Sequence, residues 1–227
     1  MTRIDFHAHI LPNADHGSDS VATSLTQLAS AEAAGVTTVV ATPHFYPDRH
    51  LIEDFLARRN DSMERLTAAY HGKLQILPGA EVLLCEGLVH LPELPQLCVA
   101  GTQVLLIEMP MVTWAHRHIH ALAELRESGK FTVVLAHVDR YPPKQVEMLL
   151  AQGFLGQING TSLCRLLGRK QLLRWIHEEK IVALGSDIHG TSNAYVKFQH
   201  ACSLLGAESE RLMGRTERLI LPMGSVV

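Results

Sequence analysis

Short aliphatic runs alternate along this chain with longer stretches in which apolar residues recur at helical spacing. The runs predict strands at Arg3–Phe6, Thr37–Ala41, Gln75–Pro78, Val104–Ile107, Thr132–Ala136, Phe154–Ile158 and Ile181–Leu184. Ser18-Asp19 reads as a helix N-cap, with Val21, Leu25 and Leu28 on one face after it and Gly35 as the stop. A second helix is expected from about Glu53 to Tyr70, burying Phe55, Leu56, Met63 and Leu66. A third starts near Thr113 and stops at Gly129. Pro142-Pro143 opens a fourth that ends at Gly153. Ser162–Glu178 and Ala194–Leu205 supply two more.

Strands alternating with helices make βα units on a parallel sheet, either open or closed into a barrel. The polar residues choose between these. His7, His9, His44, Glu81, Glu108, His137, Asp187 and His189 all fall at or just past the carboxyl ends of the expected strands. An open sheet would spread them along a line, whereas a barrel gathers them at one mouth. The fold class is therefore α/β, a (β/α) barrel. No Pro-rich linker, repeat or low-complexity segment divides the chain, so a single domain over residues 1–227 is expected.

The chemistry starts at Asp5-Phe-His7-Ala-His9. Two histidines at i and i+2 on a strand share a face and can grip one ion. A carboxylate that ends an apolar strand, as Glu81 and Glu108 do, needs a cation beside it. Glu81 is the candidate bridge between two ions. Asp187-Ile-His189 repeats the spacing of the first pair on the last strand. His16, in Asn13-Ala-Asp-His-Gly17, reads as a further ligand or as a loop residue beside a helix cap, and Asp15 shares the capping reading. Asp5 is expected to point away from His7 and His9 and to support the ligands rather than bind metal. Arg140 suits a phosphate or carboxylate through its fork of donors, or else makes a surface ion pair. Asn159 orients a substrate or stabilises the turn before Gly160.

Composition narrows the partners. A net charge of −3 argues against a general nucleic-acid binder. No apolar run is long enough to span a bilayer, and Arg3 and Asp5 lead straight into a strand, unlike a signal peptide. Cys85, Cys98, Cys164 and Cys202 form no C-x-x-C pair, which suits reduced thiols and a cytoplasmic location. His116, His118 and His120 fall on an expected helix and read as a solvated face. Trp114 and Trp175 read as core or rim. Ser162 lacks the sequence of a nucleophile elbow.

The segments IDFHAHILPNADHG, VVATPHFYPD, LPGAEV, LIEMP, LAHVDRY, INGTSL and LGSDIHG run in order through nearly the whole chain. Together they resemble the PHP (polymerase and histidinol phosphatase) metallo-phosphoesterases. Within these they are most similar to the bacterial manganese-dependent tyrosine phosphatases of capsule and exopolysaccharide operons. The resemblance implies a distorted seven-stranded (β/α) barrel holding two or three divalent ions. Manganese comes first among them, with iron, zinc or cobalt as alternatives. It implies one ion on His7, His9, Glu81 and Asp187, a second on Glu81, Glu108 and His137, and a third on His16, His44 and His189. Arg140 matches a phosphate-contacting arginine, and His44 or His189 would pass a proton to the leaving oxygen. The implied substrate is a phosphotyrosine protein, with an exopolysaccharide tyrosine autokinase as candidate partner. Two positions depart from the subgroup: Asp15-His16-Gly17 stands for its usual DDG, and no arginine closely follows His189, where Lys197 is the first cation.

Three other readings stay open. A small-molecule phosphomonoesterase of the histidinol-phosphatase kind would use the same ligands. An amidohydrolase-type C–N hydrolase also opens with HxH on a barrel strand, but Glu81 and Glu108 argue against it. The last is a metal-binding regulatory module without catalysis.

Overall fold

The computed structural model describes residues 2–220. Nine parallel strands form its centre: β1 Ile4–Ala8, β2 Thr38–Ala41, β3 His44–Phe45, β4 Gln75–Pro78, β5 Glu81–Leu83, β6 Val104–Glu108, β7 Thr132–Leu135, β8 Leu155–Asn159 and β9 Ile181–Gly185. They pair in two ladders, β1-β2-β4 and β3-β5-β6-β7-β8-β9. The break between the ladders is local. Pro43 has no N–H to donate, so β2 stops before it and β3 resumes after it. Gly79 N still donates to Ala41 O (2.9 Å) and Glu81 N to Pro43 O (3.1 Å), carrying the pairing across the kink. Thus β2 with β3, and β4 with β5, each act as one bent strand, and the structure has the seven staves expected.

The ring is distorted at the seam between β9 and β1. No regular ladder joins them. Instead Asp187 N donates to His7 O (2.8 Å), His9 N to Ile188 O (3.3 Å) and Ser186 N to Asp5 Oδ1 (2.8 Å). Phe6, Val40, Leu106, Val134 and Ala183, from β1, β2, β6, β7 and β9, pack into one cluster. Strands that far apart in the order would not meet on an open sheet.

Eight helices accompany the strands: α1 Val21–Ala33, α2 Ile52–Ala69, α3 His116–Glu127, α4 Pro143–Ala151, α5 Gly160–Leu163, α6 Arg169–His177, α7 Ala194–Leu205 and α8 Ala207–Ile220. Five differ from the sequence expectation. The N-cap of α1 is Ser20, whose Oγ accepts from Thr23 N at 3.1 Å, while Ser18 turns inward to Ser24 Oγ at 2.8 Å. Helix α3 starts at His116 rather than Thr113. The stretch expected as one helix over Ser162–Glu178 is broken into α5 and α6, because Gly168 takes φ +82° and leaves Leu166 and Leu167 on the surface. Helix α8 was not expected at all; Gly206 at φ +55° ends α7 and separates the two.

Candidate metal centre

The strand ends gather their polar side chains around Glu81, which is fully buried at the start of β5. Its Oε2 lies 2.9 Å from His44 Nδ1, 3.1 Å from His7 Nε2 and 3.3 Å from His9 Nε2. Its Oε1 lies 2.7 Å from His137 Nε2. Two further carboxylates flank it. Asp187 Oδ1 stands 3.5 Å from both His9 Nε2 and His189 Nδ1, and 3.8 Å from His7 Nε2. Glu108 Oε1 is 3.6 Å from His137 Nε2. His16 is exposed at the rim, its ring 4.9 Å from that of His44 and 4.8 Å from that of His189.

These contacts do not form an ordinary hydrogen-bond network. His7 Nε2 and His9 Nε2 face each other at 3.1 Å, where only one can donate. Despite its closeness, His44 Nδ1 approaches Glu81 Oε2 off the hydrogen-bond direction, and both atoms are buried without a hydrogen-bond partner among the described residues. His137 Nδ1 and His189 Nε2 share that condition. Buried polar atoms left so are costly. Divalent cations would satisfy them, and imidazole with carboxylate is the donor set of zinc, iron, manganese and cobalt. Three compact sets result: His7, His9 and Asp187; His9, His44 and His189; and His44, Glu81 and Glu108, with the donor atoms of each within 4.8 Å of one another.

Neighbouring residues hold this arrangement. Strand alternation puts Asp5 on the same face as His7, not the opposite one as expected. Its carboxylate is nonetheless taken up by Ser186 N and His7 N, so it braces the seam beneath the cluster. Asp15 was read as a loop residue. Its Oδ2 accepts from His9 Nδ1 at 2.7 Å and from His44 N at 2.9 Å, which turns His9 Nε2 toward Glu81. Gln157, unmarked in the sequence reading, does the same on the far side. Its Oε1 contacts His7 Nδ1 (3.1 Å) and accepts from His137 N (2.7 Å), while its Nε2 donates to Asn159 Oδ1 (2.9 Å). Asn159 Nδ2 passes the chain on to Asp187 Oδ2 at 2.9 Å. Both were findable: Asp15 adjoins a ligand candidate, and Gln157 is a polar residue two places before Asn159 on an apolar strand. The backbone takes part too. His137 (φ +30°) and Asp187 (φ +51°) sit in the left-handed region that side chains other than glycine seldom adopt, at the turns that aim them into the cluster.

Charges are strongly coupled here. Burial pushes His9 toward neutrality, but the carboxylates of Asp15 and Glu81 outweigh it and carry its pKa to about 10. Burial, then the Glu81 charge, lifts Glu108 to about 7. Burial and the His9 charge hold His189 down to about 4. Glu81 is opposed by burial, yet the imidazoles of His7, His137 and His44 keep it well below the usual carboxylate range.

A cavity of about 490 Å³ opens beside the cluster, walled by Arg140, Asp187, Asn159, Ser162, Ser186 and Arg165, among others. Arg140 neither stands free nor makes a surface pair: its guanidinium donates to Asp187 Oδ2. Ser162 Oγ donates to Asp139 at 2.6 Å and is part of no nucleophilic constellation. His116 and His120 lie beside each other on α3, away from these contacts, their rings tilted by 31° with centroids 6.3 Å apart.

The sequence and the fold have counterparts in known proteins. Residues 3–215 match the family model described as capsular polysaccharide synthesis, CpsB/CapC. The chain is 28% identical over 233 aligned residues to tyrosine-protein phosphatase YwqE of Bacillus subtilis, covering 96% of this chain and 91% of that one. It is 29% identical to tyrosine-protein phosphatase CpsB of Streptococcus pneumoniae, covering 89% of each. A chain from the crystal structures of YwqE and CpsB, described as unique metal-dependent tyrosine phosphatases, superposes with a TM-score of 0.80 at 25% identity, covering 96% of this chain and 94% of that one. Histidinol phosphate phosphatase of Lactococcus lactis shares the fold alone, with a TM-score of 0.61 at 12% identity over 93% of this chain and 94% of that one. A family match over residues 3–215, which span nearly the whole barrel and its clustered strand ends, makes this chain a member of the CpsB/CapC family of capsular polysaccharide synthesis.

Proposed function

We propose that the chain is a metal-dependent phosphatase of phosphotyrosine proteins, acting in the cytoplasm in the control of capsular or exopolysaccharide synthesis. A tyrosine autokinase of that system would be its substrate. The observation that carries the reading is Glu81, whose two oxygens meet four imidazoles from β1, β3 and the end of β7. We assign one ion to His7, His9, Glu81 and Asp187, a second to Glu81, Glu108 and His137, and a third to His16, His44 and His189. When bound, such ions supply Lewis acidity to phosphate oxygens and lower the pKa of water toward neutrality; manganese is the first candidate.

The chain's own residues do the rest. Arg140, on the cavity wall beside Asp187, is placed to take a phosphate oxygen by sharing or releasing its carboxylate partner. Asn159 and Gln157 hold Asp187 and His7 in orientation. His189 is neutral at pH 7 because burial and the His9 charge keep it near 4, so it suits ligation and has no proton to give. His44 is assigned to the same ion, so like His189 it serves as a neutral ligand rather than as a proton donor to the leaving oxygen. A phenolate, with a pKa of about 10, needs that help less than an alkoxide does.

The test is a substrate panel on manganese-loaded protein: a phosphotyrosine peptide, a phosphoserine peptide and histidinol phosphate. The reading expects phosphate release from the phosphotyrosine peptide with kcat/KM well above the other two. Activity confined to histidinol phosphate would replace it with the small-molecule reading.

A further inference from the structure

The cavity beside the cluster holds two guanidinium groups in different states. Arg140 is tied to Asp187. Arg165, exposed on the segment between α5 and α6, lines the same wall and makes no ion pair among the described residues. Asp139 lines that wall with it, and both its oxygens are occupied, by Asn159 N at 2.9 Å and Ser162 Oγ at 2.6 Å. The backbone under Arg165 is firmly held. Its N–H donates to Ser162 O at 3.2 Å, and Arg169 pins the carbonyls of Leu163, Cys164 and Arg165 at 2.7, 3.0 and 3.2 Å. A charged side chain thus projects, without a counter-charge, from a turn that is fixed in place.

Its position is outward of the cluster. Arg165 also borders a smaller cleft with Leu167 and Trp175, in which neither Arg140 nor Asp187 takes part. At about 490 Å³ the main cavity matches sites for whole small molecules rather than single ions. There is room, then, for groups beyond the phosphoryl itself, and Arg165 is the cation on that wall without an ion-pair partner among the described residues. Ser192 and Asn193 add neutral donors to it, at the start of α7.

We propose that Arg165 is a specificity-determining residue that binds a second anionic group of the substrate, a carboxylate or a second phosphate beside the phosphoryl group under attack. This rests on the phosphatase reading given above. It predicts that substrates with acidic surroundings are preferred, because a guanidinium without a partner in the free protein gains one on binding.

The test uses non-hydrolysable phosphonate analogues of phosphotyrosine peptides bound to the manganese-loaded protein, with Kd read by calorimetry. Three peptides are compared: one flanked by glutamates, one flanked by glutamines, and one flanked by glutamines with a second phosphonotyrosine alongside. The wild-type protein should bind the first, the third or both about tenfold tighter than the second. Which one wins identifies the anion. In Arg165→Gln that ratio should collapse toward one, and in Arg165→Lys most of it should return. Equal binding of all three by wild type, a ratio that survives in Arg165→Gln, or binding of none would overturn the assignment. Phosphate release from the corresponding phosphotyrosine peptides is measured separately. An Arg165-dependent binding preference without hydrolysis would keep this inference and remove the phosphatase reading.

Discussion

At the scale of single residues, Glu81 is the point on which the cluster turns. Removing it would leave four imidazoles, and the two ions assigned to it above, without the anion between them. Glu81→Ala should therefore lose metal and lower kcat by at least about a thousandfold, whereas His16→Ala, at the exposed rim, should cost far less. Full metal content with near-normal kcat in Glu81→Ala would sink the bridging assignment. Arg140 is tested by Arg140→Lys, which keeps the charge and loses the fork. Metal content should persist while kcat/KM on a phosphomonoester falls roughly tenfold, and unchanged kinetics would remove Arg140 from the phosphate site. His9 gives a pH signature. Its pKa in the metal-free protein is raised from 6.5 to about 10, so its contribution to stability is complete below pH 6.5 and fades as pH rises through 10. A ligand must be neutral, so loading at pH 8 has to expel that proton. Calorimetric metal titrations at pH 8 in buffers of different ionisation enthalpy should show release of about one proton or more per site set, and affinity should rise with pH. No buffer dependence would contradict the charged state of His9.

At the scale of elements, two glycines are tight against the first histidine pair. A Cβ on Gly185 at the end of β9 would meet His7 Cβ at 2.7 Å, and one on Gly17 would meet His9 Cβ at 2.1 Å. The backbone must pass that close for the first histidine pair to face inward. Gly185→Ala should destabilise the fold by about 1–3 kcal/mol in urea unfolding and weaken metal binding with it; an unaltered midpoint and full metal content would show that His7 can shift without loss. Much of this level was legible beforehand. All seven expected staves are present, with ends moved by one or two residues, because buried parallel strands read as plain aliphatic runs. Strands β3 and β5 were missed, being only two and three residues long beyond a kink at Pro43 or Gly79-Ala80. Helix α8 was missed because its apolar face is spread among charged residues, and α5 and α6 were fused because Leu166 and Leu167 continue an apolar pattern on a turn that is exposed. The ligand candidates were legible from residue type and position at strand ends. Asp15 and Gln157 carry only weak signals in the sequence, a neighbouring ligand candidate and a polar residue on an apolar strand, because an orienting residue is known by what it touches.

At the scale of the whole molecule, the barrel brings residues from one end of the chain to the other into a single cluster, with Asp5 joined to Ser186 across the seam and His7 and His9 beside Asp187. The family match spans residues 3–215, a range that includes these strand ends. The hydrolysis proposed above depends on ions held at this convergence, with Arg140 and the orienting residues acting around them. The direct measurement is removal and return of metal on one protein sample, with metal content by elemental analysis and phosphate release from a phosphotyrosine peptide followed together. Chelation should abolish activity while far-ultraviolet circular dichroism still reports a folded chain, and added Mn²⁺ should restore activity in step with two or three ions per chain. A protein stripped of metal that hydrolyses the peptide at its full rate would contradict the account.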